Sequence, residues 1–174
     1  MKFFRLISLK EQRGFTLLEL LIVIVIAGVL LSGITMTTAQ IFSSNSRDTA
    51  RMTAVQQVQS GVYWLSRDIQ MAQNLQPSGS TGFPLQLRWV EWETNDVHTV
   101  SYRLDQGNFL RGYSVNGGAE EEAIVAHNIN SDSDKTYCSL SGRVLTFSIT
   151  SSVPYRSTTV DETRKLEVVA RPGS

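Results

Sequence analysis

The sequence predicts an α+β protein in which a long N-terminal helix packs on an antiparallel β-sheet. Three patterns predict this fold class. Residues 15–31 form a mostly apolar run of 17 residues that contains a single charge. Apolar residues then recur at helical spacing as far as Ala72. Beyond Pro77 the chain alternates apolar and polar residues and is rich in β-forming types.

Length and charge limit the classes of protein to which the chain belongs. Its 174 residues suit one membrane segment and one folded domain, with 16 basic and 16 acidic side chains in total. Without the first 14 residues, 12 basic and 15 acidic side chains remain, a formal net charge of −3. No nucleic-acid partner is expected, because such a surface needs clustered Lys and Arg.

The apolar run is compatible with a signal peptide, with a membrane anchor, or with an anchor that is trimmed. As a helix, the run would span roughly 25 Å to residue 31, or about 30 Å to residue 34, near the thickness of a bilayer core. A secretory signal has a shorter core of about 7–15 residues, and residues 37–39 are a poor cleavage site. We therefore interpret residues 15–36 as a transmembrane helix. Basic residues precede it and none follows until Arg47, which predicts a cytoplasmic N-terminus and a C-terminal domain outside.

Glu19 is the single charge in this run. A charge well inside a membrane helix costs about 2.5–3.5 kcal/mol, and such residues usually have a partner. One interpretation is that the Glu19 carboxylate reaches the cytoplasmic headgroups. The alternative is that it pairs with a positive group of another subunit.

Residues 10–20 resemble the class III leader and cleavage site of type IV pilins and type II secretion pseudopilins. The resemblance implies that prepilin peptidase cuts between Gly14 and Phe15, removes the leader (residues 1–14) and methylates the new N-terminus at Phe15. Glycine suits this position, because without a Cβ it allows close approach to the backbone. The resemblance also implies that Glu19 pairs with the Phe15 amine of a neighbouring subunit during assembly.

The helix is predicted to continue to about Gln76, so that residues 37–76 form an amphipathic half. Its apolar stripe comprises Val55, Val58, Val62, Leu65, Ile69 and Ala72. Major pilins commonly carry a proline in the middle of the anchor. Met36 occupies that position here, so no proline kink is expected.

Residues 65–72 resemble the L-x-R-D-[ILV]-x-x-A segment of J-type pseudopilins and W-type minor pilins. Arg67 and Asp68 fall off the apolar stripe, which predicts a solvated helix face. The functional alternatives are an interface with another minor subunit, or an Asp68 contact that positions the following loop. The segments 102–104 and 109–111 resemble a hairpin of the same subgroup.

Residues 77–174 are predicted to form one antiparallel sheet of four to six strands laid on the helical stripe. Leu145, Phe147 and Ile149 should share one face, and residues 105–108 should form a turn. The strand candidates are residues 85–92, 100–104, 109–113, 123–126, 144–149 and 165–170.

The sequence contains no recognisable nucleophile with a base, no phosphate-binding loop and no paired carboxylates. No enzyme activity or cofactor is therefore predicted. His98 and His127 lack the spacing of metal ligands and are interpreted as ordinary, partly exposed side chains. Residues 130–134 begin like an EF-hand loop, but Lys135 stands where glycine is needed. A solvated loop is favoured there, with a looser calcium site near Asp132 and Asp134 as the alternative.

The remaining candidates have a structural and a functional interpretation each. Cys138, the single cysteine, is interpreted as a partly buried side chain, with a reactive thiol as the alternative. Residues 120–122, three glutamates, are expected to be a charged loop rim, with an acidic docking patch as the alternative. Trp89 and Trp92 cannot face the same side of one strand. One of them should therefore be exposed, where it would suit a partner interface.

The sequence thus predicts a minor pilin or pseudopilin, a structural subunit of a tip or initiation complex in a type IV pilus or type II secretion pseudopilus. Expected partners are prepilin peptidase, other major and minor pilins or pseudopilins, the inner-membrane assembly platform and the lipid bilayer. The expected location is the inner membrane, and the filament after assembly. The alternative function is a membrane-anchored binding protein, such as an adhesin or a DNA-uptake factor.

Overall fold

The computed structural model describes residues 15–172, which divide into two compact units between Ser44 and Asn45. The predicted leader, with Gly14 at its end, lies outside the described residues. The predicted α+β fold class is confirmed, since a long helix is followed by antiparallel β-structure.

Helix α1 comprises Leu17–Met71, 55 residues, and contributes to both units. It continues through Met36 without a break, as expected for a segment without proline. Hydroxyl groups in its apolar part donate hydrogen bonds to helix carbonyls at 2.7–3.0 Å. Each hydroxyl therefore has a hydrogen-bond acceptor that does not depend on water. These donors are Ser32, Thr35, Thr37 and Thr38.

The predicted end of the helix at Gln76 is wrong. Helix α1 ends at Met71, and Asn74–Pro77 form the first strand, β1. Proline 77 favours an extended backbone at Gln76, and pairing with the next strand supplies the backbone hydrogen bonds. The amide of Gln73 already donates to the carbonyl oxygen of Arg88 at 2.9 Å. The β-domain therefore begins before the predicted boundary at residue 77.

The second unit contains two antiparallel sheets, whereas the sequence predicted a single sheet of four to six strands. The first sheet has the strand order β1-β2-β3-β4-β5, and the second has the order β6-β7-β8. The additional strands are β2 (Leu85–Val90), β3 (Val97–Asp105), β4 (Asn108–Val115), β5 (Glu121–Ala126), β6 (Tyr137–Ser141), β7 (Val144–Tyr155) and β8 (Thr158–Val169).

The turn between β3 and β4 confirms the prediction for residues 105–108. Gln106 and Gly107 both have positive φ angles, 45° and 78°, as a two-residue turn in a right-twisted hairpin requires. The turn sets a register in which Tyr102 lies opposite Arg111.

The face of α1 that is buried in the second unit includes small residues that the predicted stripe did not contain. Ala54 and Gly61 lie at the centre of this face, while Val55 and Val62 are half-buried. A Cβ at Gly61 would lie 3.4 Å from Cδ1 of Phe109, so small side chains permit close approach of the strands. The other buried helix residues are Ala50, Val58, Leu65, Asp68 and Ile69.

Both sheets and the helix contribute to one core of the second unit. Leu145, Phe147 and Ile149 of β7 are completely buried, which confirms that they share one face. Val100, Tyr102 and Phe109 of the first sheet are equally inaccessible.

Candidate functional sites

The beginning of α1 is a capped helix terminus. The carbonyl oxygen of Thr16 accepts the first helical hydrogen bond from the Leu20 amide at 3.1 Å. Its hydroxyl Oγ1 accepts from the Glu19 amide at 3.3 Å. Thr16 is therefore the N-cap, and Thr16-x-x-Glu19 has the spacing of a capping box. Sequence reasoning missed this role of Thr16, although the spacing alone is a recognisable signal.

Glu19 lies in the first turn of α1, where the helix dipole favours a negative charge. Its side chain is exposed, and no basic side chain within residues 15–172 forms an ion pair with it. A charge in this position is available to a positive group outside the described chain.

The apolar half of α1 presents its side chains to the surroundings. By length and composition the helix is able to cross a membrane, since its most apolar 18-residue window has a mean hydropathy of 2.8 and contains no buried residue. Leu17 is 82% exposed and Ile34 is 63% exposed. An apolar surface of this kind requires lipid or other protein to cover it.

Asp68 is the centre of a buried polar cluster, which we define as Asp68, Tyr102 and Arg111. The Tyr102 hydroxyl donates to Oδ2 of Asp68 at 2.6 Å. The Arg111 guanidinium donates twice, from Nε to Oδ2 at 2.7 Å and from Nη2 to Oδ1 at 3.2 Å. The Asp68 side chain is only 1% exposed, and that of Arg111 is 17% exposed. The cluster therefore joins α1 to the facing pair of β3 and β4.

Electrostatics in this cluster favour the charged guanidinium of Arg111 and the neutral form of Tyr102. Burial, together with the negative charge of Asp68, raises the pKa of Tyr102. Burial would lower the pKa of Arg111, but its hydrogen bonds and attraction to Asp68 outweigh burial, and the pKa is raised. The guanidinium carbon of Arg111 also lies 5.3 Å from the ring centres of both Trp64 and Tyr113.

The expectation that Asp68 lies on a solvated helix face is wrong. Asp68 adjoins Ile69 at the border of the buried face. Tyr102 and Arg111, which lie opposite each other on β3 and β4, supply three hydrogen bonds that compensate for its burial. Arg67 is exposed, and its guanidinium carbon lies 5.6 Å from the Trp64 ring centre. The interface hypothesis for Arg67 and Asp68 stays a prediction, with Arg67 as the accessible member.

Neither histidine belongs to a cluster of potential metal ligands in the described part of the chain. His98 stacks between Trp89 and Tyr113, with ring centres 5.2 and 5.8 Å away. Its Nδ1 is 2.7 Å from the Tyr113 hydroxyl. His127 is exposed, and its Nδ1 lies 2.9 Å from Oδ1 of Asn108.

The loop proposed for calcium is organised by its own hydrogen bonds. Oδ1 of Asn130 accepts from the Asp132 amide at 2.9 Å, and the Asp132 carbonyl accepts from the amides of Lys135 and Thr136. The calcium hypothesis for Asp132 and Asp134 stays a prediction.

Two exposed features differ in how well the sequence predicted them. Trp92 is 91% exposed and Trp89 is half-buried, so one of the two is exposed as expected. The predicted reason is wrong, because β2 ends at Val90 and Trp92 lies in the turn that follows, not on the same strand as Trp89. The glutamates at 120–122 are not simply a loop rim, because Glu121 and Glu122 begin strand β5. Glu122 forms an ion pair with Arg103 of the same sheet.

Cys138 is expected to resist alkylation until the domain unfolds. It is buried in β6, as predicted, and its Sγ donates to the Gly82 carbonyl at 3.0 Å. Burial raises its pKa to about 12. Because the thiolate is the reactive form, the folded protein at pH 8 should react about a thousandfold more slowly with iodoacetamide than the protein in urea.

The same pKa shift predicts a pH dependence of stability. The unfolded thiol loses its proton near pH 9, whereas the folded thiol keeps it to about pH 12. The free energy of unfolding should therefore fall as the pH rises between these values, and a Cys138→Ser variant should lack this component. Fast labelling of the native protein at pH 8 would contradict both expectations.

Comparison with known proteins identifies the N-terminal segment. Residues 9–35 match the family described as the prokaryotic N-terminal methylation motif, the signature of type IV pilins and pseudopilins. No curated protein and no solved structure matches the chain. The motif, together with the long helix and the antiparallel sheets, supports a type IV pilin-like protein. It points to a structural subunit with a helix that is long and apolar enough to cross a membrane. The resemblance of residues 10–20 to this superfamily is confirmed, while the J-type and W-type resemblance stays a prediction.

Proposed function

We propose that the chain is a minor pilin or pseudopilin that joins a tip or initiation complex of a type IV pilus or type II secretion pseudopilus. The observation that carries this proposal is the methylation motif at the start of a capped, apolar and exposed helix. Prepilin peptidase removes residues 1–14, and Phe15 becomes the methylated N-terminus. The leader holds the N-terminus in the cytoplasm, and the β-domain lies outside the inner membrane.

Assembly relies on Glu19 in this proposal. The Glu19 carboxylate of one subunit pairs with the Phe15 amine of its neighbour, and each charge offsets the desolvation of the other. The exposed apolar side chains of α1 then pack against the helices of other pilins. The minor type is supported by the buried cluster, because the three segments that resemble minor pilins each supply one member, Asp68, Tyr102 and Arg111.

The N-terminus of the membrane-extracted protein tests the processing step. Mass spectrometry should find a chain that starts at Phe15 and carries one additional methyl group. A Gly14→Val variant should keep its leader, because a side chain at this position blocks close approach of the peptidase. An intact leader in the unsubstituted protein, or a start near Gln40, would refute the proposal.

Substitutions at the helix terminus separate the charge of Glu19 from its contribution to helix capping. Glu19→Gln keeps a side chain that suits a capping box but removes the charge. It should reduce incorporation into filaments by about a hundredfold or more, because breaking a buried charge pair costs about 3–5 kcal/mol. Membrane insertion, measured by alkaline extraction, should be unchanged or improved.

Thr16→Ala is the matched control, since it removes the cap and retains the charge. It should weaken incorporation far less, because a lost N-cap costs about 1 kcal/mol. If Glu19→Gln assembles normally and Thr16→Ala does not, helix capping and not charge pairing explains the motif.

A further inference from the structure

Strand β8 (Thr158–Val169) is an edge strand of the second sheet, paired on one side with β7 along its whole length. Within residues 15–172 no strand pairs with its other side. Most of its 12 residues are exposed. A long free edge pairs readily with another chain unless charged side chains prevent it, so the charges along β8 determine what this edge accepts.

The hydrogen bonds that β7 forms on the side away from β8 show which backbone groups of β8 point to its free edge. The Asn130 amide donates to the Thr150 carbonyl at 2.8 Å, and the Ser152 amide donates to the Asn128 carbonyl at 2.7 Å. These even-numbered residues of β7 therefore direct their main chain away from β8. Since Ser151 is paired with Glu162, the even-numbered residues of β8 bond to β7. The odd-numbered residues, including Thr163, direct their amides and carbonyls to the free edge.

We propose that β8 pairs antiparallel with β8 of a second copy of this chain, with Thr163 opposite Thr163 on a two-fold axis. In this register Asp161 lies opposite Lys165 of the second copy, and Glu162 lies opposite Arg164. Each pair occurs twice by symmetry. The Asp161–Lys165 pairs lie on one face of the sheet and the Glu162–Arg164 pairs on the other. Val160 lies opposite Leu166 of the second copy. Opposite charges and apolar pairs directly across from each other stabilise a strand pair, and a two-fold contact of this kind closes on itself.

Charge also excludes the neighbouring registers. An axis at Asp161, Glu162, Arg164 or Lys165 would place that residue opposite its own copy, and like charges in that position destabilise the pair. Thr163 is the neutral residue among these five positions. Among the registers with the axis at residues 161–165, the one at Thr163 is therefore the one that places no charged residue opposite its own copy.

The charges available for this pairing are largely free within the chain. Glu162, Arg164 and Lys165 form no ion pair with any other described residue. Asp161 already pairs with Lys135 at 2.7 Å. The Glu162–Arg164 pair should therefore contribute more to the contact than the Asp161–Lys165 pair.

Disulfide trapping of the full chain in detergent tests the register. Thr163→Cys should form a disulfide-linked dimer under mild oxidation, because residues directly opposite in an antiparallel pair lie about 5.5 Å apart at Cα, within the disulfide range. Thr159→Cys is the matched control with the same residue type and exposure on the same strand. In the proposed register Thr159 faces Glu167, so its own copy lies too far away to react.

Charge substitutions in the Thr163→Cys chain test the reason for the register. Glu162→Arg should reduce the dimer yield several-fold, and adding Arg164→Glu should restore it, because the exchanged charges again face each other. Circular dichroism would confirm that each variant is folded. Equal dimer yields at positions 159 and 163, an absence of dimer at 163, or a failure of the charge exchange to restore the yield would overturn the proposal.

Discussion

Replacing Asp68 with alanine is expected to lower the free energy of unfolding by about 3–5 kcal/mol, the usual cost of removing one partner of a buried ion pair. The substitution leaves the Arg111 guanidinium with its side chain 17% exposed and without its carboxylate. It also removes the acceptor of the Tyr102 hydroxyl. Urea denaturation followed by tryptophan fluorescence would measure the loss, because Trp64 lies against Arg111.

Two further variants separate the ion pair from general effects of substitution. Gln70→Ala, at an exposed position of the same helix, should change the free energy of unfolding by no more than about 0.5 kcal/mol. Asp68→Leu combined with Arg111→Met removes both charges, and it should cost less than the sum of the single variants. If Asp68→Ala costs less than about 1 kcal/mol, the carboxylate is solvated and the cluster does not join the helix to the sheet.

Phe109→Ala is expected to destabilise the second unit by a similar amount, about 3–5 kcal/mol, because it opens a cavity in a closed core. The Phe109 ring is completely buried, and its centre lies 5.4 Å from that of Phe83 and 5.2 Å from that of Tyr102. Gly61 of the helix closes the other side and has no side chain that could move into the space. The midpoint and slope of urea denaturation would report the change.

Leu140→Ala is the control for Phe109→Ala. Leu140 lies on β6 and is 36% exposed, so its truncation removes less buried surface and leaves no closed cavity. It should cost about 1 kcal/mol or less. Equal losses for the two variants would show that Phe109 is not the packing centre that its burial indicates.

The N-terminal half of this protein was predictable because its signals are local. The apolar run, the position of Glu19 and the absence of proline each act on the nearest turns of the helix. The β3–β4 turn was predictable for the same reason, since Gly107 and its neighbours select the conformation by themselves. The capping role of Thr16 was equally local and could have been found from its spacing to Glu19.

The division of the strands between two sheets depends on contacts between distant segments. Strand β6 carries the weak alternation Tyr-Cys-Ser-Leu-Ser, and it exists because β7 provides a partner for it. Strand β1 overlaps the expected end of the helix, and pairing with β2 selects the extended form. A strand whose apolar and polar residues alternate only weakly can be predicted only when the strand that pairs with it is known.

Local composition and spacing determine that one helix is followed by antiparallel strands, and they also determine the processing signal at the start of the chain. The reason is that these features depend on residues only a few positions apart. The burial of Asp68 does not follow from them. Its helix position predicted solvent, and it is buried because Tyr102 and Arg111, 34 and 43 residues further along the chain, meet it with three hydrogen bonds. The contact between Gly61 and Phe109 likewise does not follow from local sequence. The absence of a side chain at Gly61 matters only because a distant segment packs closely against this position.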